Sequence, residues 1–283
     1  MMEKDYARGA RRTPLGGVGN PFKNLFRSRP ERASSEGADM PSSHSPQKTA
    51  IVTGGGRGIG RAVVEALAQE GWRVAFCGRD PERTAAAEKE LQARFGSAIT
   101  AVPVDVRDSA AVAAFVASVL AESGRIDLLV NNAGIGRFGP VDEISIEDWQ
   151  ETIETNTSGP FYFLRAVAPA MKSAGSGWIV NIASLAGRNA FAGGAAYNAS
   201  KFGLVALSEA AMLDLRPFGV RVGTILPGSV ETEFGHPAGT GAKPGGWRLA
   251  PEDVAAAVLH LLTYPERALP STIEIRPTRT GKG

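Results

Sequence analysis

Thr53-Gly54-Gly55-Gly56-Arg57-Gly58-Ile59-Gly60 is the stretch that decides the fold. Before it, Thr49–Thr53 reads as a short buried strand; after it, Gly58–Gln69 reads as a helix carrying Val63, Val64 and Leu67 on one face. Glycines at a strand-to-helix turn let backbone N–H groups come close to a pyrophosphate, which the positive end of the helix then attracts. The spacing is G-x-x-x-G-x-G, not G-x-G-x-x-G, and no Gly-Lys-Ser/Thr follows, so a P-loop kinase or ATPase is disfavoured.

Outward from this turn, short apolar runs alternate with longer helical ones. Strands are expected at Arg73–Cys77, Ile99–Val104, Asp127–Val130, Trp178–Ile182, Val220–Leu226 and Thr272–Ile275. Helices are expected at Pro81–Phe95, Ala110–Glu122, Ile146–Asn156, Pro160–Lys172, Ala195–Leu215 and Pro251–Leu262, the last with proline suited to a first turn. Such alternation predicts an α/β fold: a single doubly wound (Rossmann) domain with a seven-stranded parallel sheet and helices on both faces.

Composition narrows the classes. Apolar residues make up 43% and charged residues 21%, which is ordinary for a globular chain and excludes extensive disorder. No window approaches the 18 or so uninterrupted apolar residues of a membrane-spanning helix. A single cysteine, Cys77, allows neither an internal disulfide nor a thiolate metal cluster, and a cytoplasmic location fits. Residues 1–48 hold 9 Lys/Arg and 5 Asp/Glu (+4), which leaves 22 and 24 (−2) for the rest, so the body is no basic nucleic-acid binder. Residues 1–47 lack any sustained apolar period and run through Ser, Pro and Gly from Ser34 to Pro46. They are expected to form a disordered extension, with Met40 as an alternative start, ahead of one domain over residues 48–283.

Tyr197 and Lys201 lie four apart on the longest helix and therefore on one face. A phenol with a pKa near 10 is a poor proton shuttle at neutral pH; a neighbouring ammonium favours the phenolate and makes it usable. Ser184 follows the strand Trp178–Ile182, at the carboxyl edge of the sheet where open α/β folds bind ligands, and its hydroxyl suits a carbonyl oxygen or developing alkoxide. Taken alone, a Tyr-x-x-x-Lys pair also arises on solvated helix faces, a serine there can simply serve the turn, and Cys77 in an apolar strand reads as structural.

With Thr53-Gly54-x-x-x-Gly58-Ile59-Gly60, Asp105-Val106, Asn131-Asn132-Ala133-Gly134, Asn156, Ser184, Tyr197-x-x-x-Lys201 and Pro227-Gly228 in this order, the chain resembles the short-chain dehydrogenase/reductase family, in its compact branch. The resemblance covers about residues 48–276 and extends to 3-oxoacyl-carrier-protein reductases and carbonyl reductases. It implies Tyr197 as proton donor or acceptor, Lys201 lowering its pKa and holding a nicotinamide ribose, Ser184 orienting the substrate carbonyl, and Asn156 holding a water in a proton relay. It also implies a cofactor site of Gly54, Arg57, Gly58, Ile59, Gly60, Arg79, Asp105, Val106, Asn131, Ala133, Gly134, Pro227, Gly228, Val230 and Thr232, without metal. A homodimer or homotetramer acting on a small-molecule carbonyl or alcohol, without nucleic acid or membrane, goes with it.

Two arginines bear on the cofactor. The second strand ends Cys77-Gly78-Arg79, with Gly78 where NAD-selective relatives place an acid, and the resemblance implies that Arg57 inside the glycine turn points to the same region. Guanidinium donors suit a 2′-phosphate, which predicts NADP(H). An NAD(H)-dependent alcohol dehydrogenase and a non-catalytic cofactor-binding regulator are the alternatives. A nucleotide-sugar epimerase would need a C-terminal sugar domain for which the stretch after Val220 is too short. For the substrate, Arg137, Phe138 and residues 188–191 stand as candidate contacts. Between Pro227 and Ala250, a glycine- and proline-rich stretch with Phe234, His236 and Trp247 reads as a mobile lid.

Overall fold

The computed structural model describes residues 47–234 and 246–279; residues 1–46, His236 and nearly half of the expected lid lie outside them. Seven parallel strands form one sheet in the order β3-β2-β1-β4-β5-β6-β7. They are β1 (Thr49–Thr53), β2 (Arg73–Gly78), β3 (Ile99–Pro103), β4 (Leu128–Asn131), β5 (Gly177–Ile182), β6 (Val220–Pro227) and β7 (Thr272–Ile275). The doubly wound reading is met, with strand ends within a residue of those expected.

Period-two alternation builds two cores, one on each face of the sheet. Ala50, Val52, Val74, Phe76, Leu128 and Val130 pack beneath helices α1 (Gly58–Gln69), α2 (Pro81–Phe95) and α7 (Pro251–Leu262). Their neighbours Ile51, Ala75, Cys77 and Leu129 face α3 (Ser109–Ser123), α5 (Gly159–Ala174) and α6 (Ala195–Leu215). Because both faces are covered, the central strands are apolar on successive residues, as parallel sheets require. Cys77 is fully buried, and burial pushes its thiol up to about 12, so it packs as a small apolar residue. No described helix is long and apolar enough to cross a membrane.

One region departs from the expected helices. Instead of two helices with a break after Asn156, α4 (Ile146–Ile153) runs through a π-turn at Glu154–Ser158 directly into α5. Pro160 has no N–H to return to the Asn156 carbonyl, and the widened turn absorbs that loss. Gly159 meanwhile comes so close to Val106 that an added Cβ would stand 3.0 Å from its Cγ2. Asn156 therefore sits on the bulge, where a side chain is re-aimed.

The order reverses beside β1: the chain winds outward to β2 and β3, then returns to β4 on the other side. A crevice opens at the carboxyl ends of the strands flanking such a reversal, and the loops after β1, β2, β4, β5 and β6 converge there.

Candidate active site

The glycine turn is shaped by contacts that only glycine permits. Gly54 adopts φ +65°, and a Cβ there would press against the Ala133 backbone at 3.1 Å. A Cβ on Gly60 would collide with the Gly54 carbonyl. The Thr53 hydroxyl accepts from the N–H groups of Asn132 and Ala133, both at 2.9 Å, while the Asn132 amide donates to the Thr53 carbonyl at 3.0 Å. This stitches the turn after β1 to the loop after β4. The first residue of α1 follows Arg57, which offers no side-chain cap, and the first helical turn holds no acid. The positive end of the helix thus faces the turn without a carboxylate of its own.

At the other end of the crevice, Ser184 caps the short 3₁₀ turn Leu185–Gly187 and accepts from the Ala186 N–H at 3.1 Å. Tyr197 and Lys201 project from one face of α6. Burial raises the pKa of the Tyr197 phenol, and a hydrogen bond with Ser184 pulls it back. Lys201 is 4% exposed, and its ammonium donates to the Ile182 carbonyl at 3.0 Å. It lies 5.9 Å from the centre of the Tyr197 ring. Burial brings Lys201 down to about 8. Desolvation is the larger influence on both groups, and the ammonium is turned to the Ile182 carbonyl.

Asn156, fully buried, clasps the backbone of Ile135 with both ends of its amide at 2.8 Å and donates to the Ser200 hydroxyl at 3.0 Å. Ser200 in turn donates to the Tyr197 carbonyl at 2.8 Å. The π-turn is thereby coupled to the helix turn that carries Tyr197. Gly134 lies between: a Cβ there would stand 3.1 Å from Asn156 Oδ1 and 3.7 Å from Lys201 Nζ.

Other expected residues are placed differently from one another. Thr232 Cγ2 lies 3.3 Å from where a Gly58 Cβ would be, Ala133 lies against Gly54, and Ile59 packs against the core. Pro227 and Gly228 end β6 and pack beside Ile275 and Pro277, while Val230 bridges to Leu249. The Asn131 side chain is buried, its amide donating to Asn181 at 2.8 Å while its Oδ1 has no partner among the described residues. The Asp105 carboxylate is gripped by Arg107 at 2.6 Å, which holds its pKa below the usual carboxylate range, beside a buried Val106. Arg57 pairs with Glu233 and Arg79 with Glu151, each at 2.9 Å.

Two residues with local influence escaped the sequence reading. Glu151 also receives Arg137 at 2.8 Å and stands 3.6 Å from Arg107, so a single acid gathers arginines from three loops. Those cations hold it below the ordinary glutamate range. Asn198, buried beside Tyr197, donates to the Ala186 carbonyl at 2.7 Å and accepts from the Phe191 N–H at 3.3 Å, pinning the loop after β5. Its adjacency to Tyr197 was the available signal.

Residues 48–242 match the family model described as short chain dehydrogenase. The chain is 41% identical to the D-threitol dehydrogenase of Mycolicibacterium smegmatis over 76% of its own length and 85% of that protein's. It is 37% identical to the NADP-dependent 3-hydroxy acid dehydrogenase of Escherichia coli O6:H1, over 80% and 94%. A metagenomic short-chain oxidoreductase solved in complex with NADP superimposes with a TM-score of 0.71 at 39% identity, covering 82% of this chain and 98% of that one.

Proposed function

This chain belongs to the short-chain dehydrogenase family, an oxidoreductase family, and from that membership we propose that it transfers a hydride between NADP(H) and a carbonyl or secondary alcohol, with Tyr197 as the proton donor and acceptor. The observation that carries this reading is the meeting of Ser184 and Tyr197 above a buried Lys201 at the carboxyl edge of the sheet. Ser184 holds the substrate oxygen. Tyr197, kept protonated by burial, gives it a proton in the reductive direction. Lys201 supplies an ammonium to the ribose hydroxyls, and Asn156 fixes the helix turn beneath.

The residues fit a nicotinamide cofactor: the Gly54–Gly60 turn leaves room only for backbone, and the start of α1 offers unopposed N–H groups for a pyrophosphate. Bound there, the cofactor supplies the hydride. NADP(H) is favoured by Arg57, Arg79 and the absence of an acid at Gly78, and it agrees with the names of two relatives. A second reading, NAD(H), rests on one observation: both arginines already have carboxylate partners. Self-association as a homodimer or homotetramer is also proposed, since α4, α5 and α6 leave Trp149, Phe161 and Phe202 exposed.

Replacement of Tyr197 tests the mechanism. Tyr197→Phe is expected to lower kcat roughly 10²- to 10⁴-fold, with NADPH affinity within a few-fold of the original. Turnover within tenfold of the unmodified protein would overturn the assignment.

A further inference from the structure

Two phenylalanines from different loops flank Tyr197, and a third from another loop packs on one of them. Phe138 follows β4, Phe191 follows β5 and Phe234 follows β6, and they are 52%, 48% and 39% exposed. The rings of Phe138 and Phe234 lie 5.5 and 5.7 Å from the Tyr197 ring, and Phe191 lies 6.0 Å from Phe138. Glycines back them. A Cβ on Gly136 would stand 2.7 Å from Phe138 and 3.0 Å from Phe234, and one on Gly194 would stand 2.6 Å from Phe191. The rings are thus seated against bare backbone. A contiguous exposed aromatic patch of this kind, grouped around one phenol, has the makings of a binding wall.

Charge around the wall is already spoken for. Arg137 is paired with Glu151 and Asp148, and Arg188 with Glu274, so a substrate carboxylate would have to displace a partner already in place. The Asn198 amide is committed to Ala186, Asn189 and Phe191, and the Asn189 amide to the Leu185 carbonyl. A substrate rich in hydroxyls would find Ser184 and Tyr197, both engaged with the reacting oxygen, and would bury its remaining hydroxyls against rings.

We propose that the substrate is a ketone or aldehyde whose carbonyl bears an aromatic or bulky apolar group, in contrast to the polyol and the 3-hydroxy acid in the names of the two relatives. This rests on the reading of the site as a carbonyl reductase. Each favourable ring contact multiplies affinity about two- to tenfold.

The test compares kcat/KM of the full chain with NADPH for 4-phenylbutan-2-one, butan-2-one, erythrulose and 3-oxobutanoate. It is paired with calorimetric binding of two amides that cannot be reduced, 3-phenylpropanamide and propanamide. The phenyl ketone is expected to exceed butan-2-one at least tenfold and to exceed the other two by more. The phenyl amide is expected to bind at least tenfold tighter than propanamide. Phe138→Ala and Phe234→Ala should each cut the ratio of the phenyl-bearing to the phenyl-free compound by about two- to tenfold in both assays while retaining the original Tm within a few degrees. A ketose or oxo acid preferred over the phenyl ketone, or ratios untouched by both substitutions, would overturn the proposal. Preferential binding of the phenyl amide without turnover of any ketone would uphold the apolar wall and overturn the catalytic reading instead.

Discussion

At the end of the crevice nearest β2 and β3, Arg57, Arg79 and Arg107 are held by Glu233, Glu151 and Asp105 in pairs that are exposed or partly exposed. At the end formed by β4, β5 and α6, Asn156, Asn198 and Lys201 are buried and bonded to backbone. Exposed pairs contribute little stability, weaken with salt and exchange partners readily. Buried polar groups are expensive to leave unpaired and so hold one position. The first end is suited to selecting a charged ligand, and the second to holding reacting atoms still.

The effect expected to separate the two ends most clearly lies at the exchangeable end. Gly78→Asp combined with Arg79→Ile removes a guanidinium and puts a carboxylate where a 2′-phosphate would sit. A preference for NADPH of roughly ten- to a hundredfold, the equivalent of one charge-assisted contact, is expected to turn into a preference for NADH. Measured kcat/KM for both cofactors at moderate salt checks this, and equal efficiency in the unmodified protein would show that the arginines serve their carboxylates alone. A Cβ at position 78 would stand 2.7 Å from the Thr84 hydroxyl, so a Gly78→Ala control separates crowding from charge.

At the rigid end, the effect is on stability and its pH dependence. Lys201 drops from an ordinary 10.5 to about 8 because the folded protein buries its charge. The cost, about 3 kcal/mol, is fully present below pH 8 and is relieved as pH climbs from about 8 to 10.5, where the unfolded chain still binds the proton and the folded chain does not. The Lys201→Met variant lacks this dependence. The difference in Tm, wild type minus variant, should therefore rise between pH 7 and pH 10. A constant difference would mean that the Ile182 carbonyl compensates the buried ammonium.

The same contrast explains what was legible in the sequence. Fold class and strand positions follow from local alternation, since each buried strand carries its own apolar run between turn signals, whereas the strand order came only with the structure. Ser184, Tyr197 and Lys201 could be singled out because two share a helix face and the third ends a neighbouring strand. The π-turn was hidden because Glu154–Ser158 reads as ordinary helix, and its cause lies in Pro160 and the approach of Gly159 to Val106. Glu151 was hidden more deeply. A glutamate on an amphipathic helix is indistinguishable from any solvated acid, and its partners come from positions 79, 107 and 137, which only the fold brings together. The inward turn of Asn131 depends likewise on its register opposite Asn181.

Glu151 also supplies the smallest and most discriminating test of the comparison. If Arg79 must leave this carboxylate to meet a cofactor phosphate, the ion pair opposes binding by its own strength. An exposed pair of this kind is worth about 0.2–1 kcal/mol, so its removal should tighten NADPH binding by no more than about fivefold. Glu151→Gln keeps the shape and removes the charge, leaving Arg79 without its carboxylate partner and Arg137 with Asp148. NADPH affinity should rise by that factor at low salt and lose most of the gain near 1 M, where screening reaches about 3 Å. NADH affinity should stay level, because it lacks the phosphate that competes for Arg79. Weaker NADPH binding in Glu151→Gln would reverse the argument: the acid would then be holding Arg79 in the geometry that the phosphate needs, and the exposed end of the crevice would be as preorganised as the buried one.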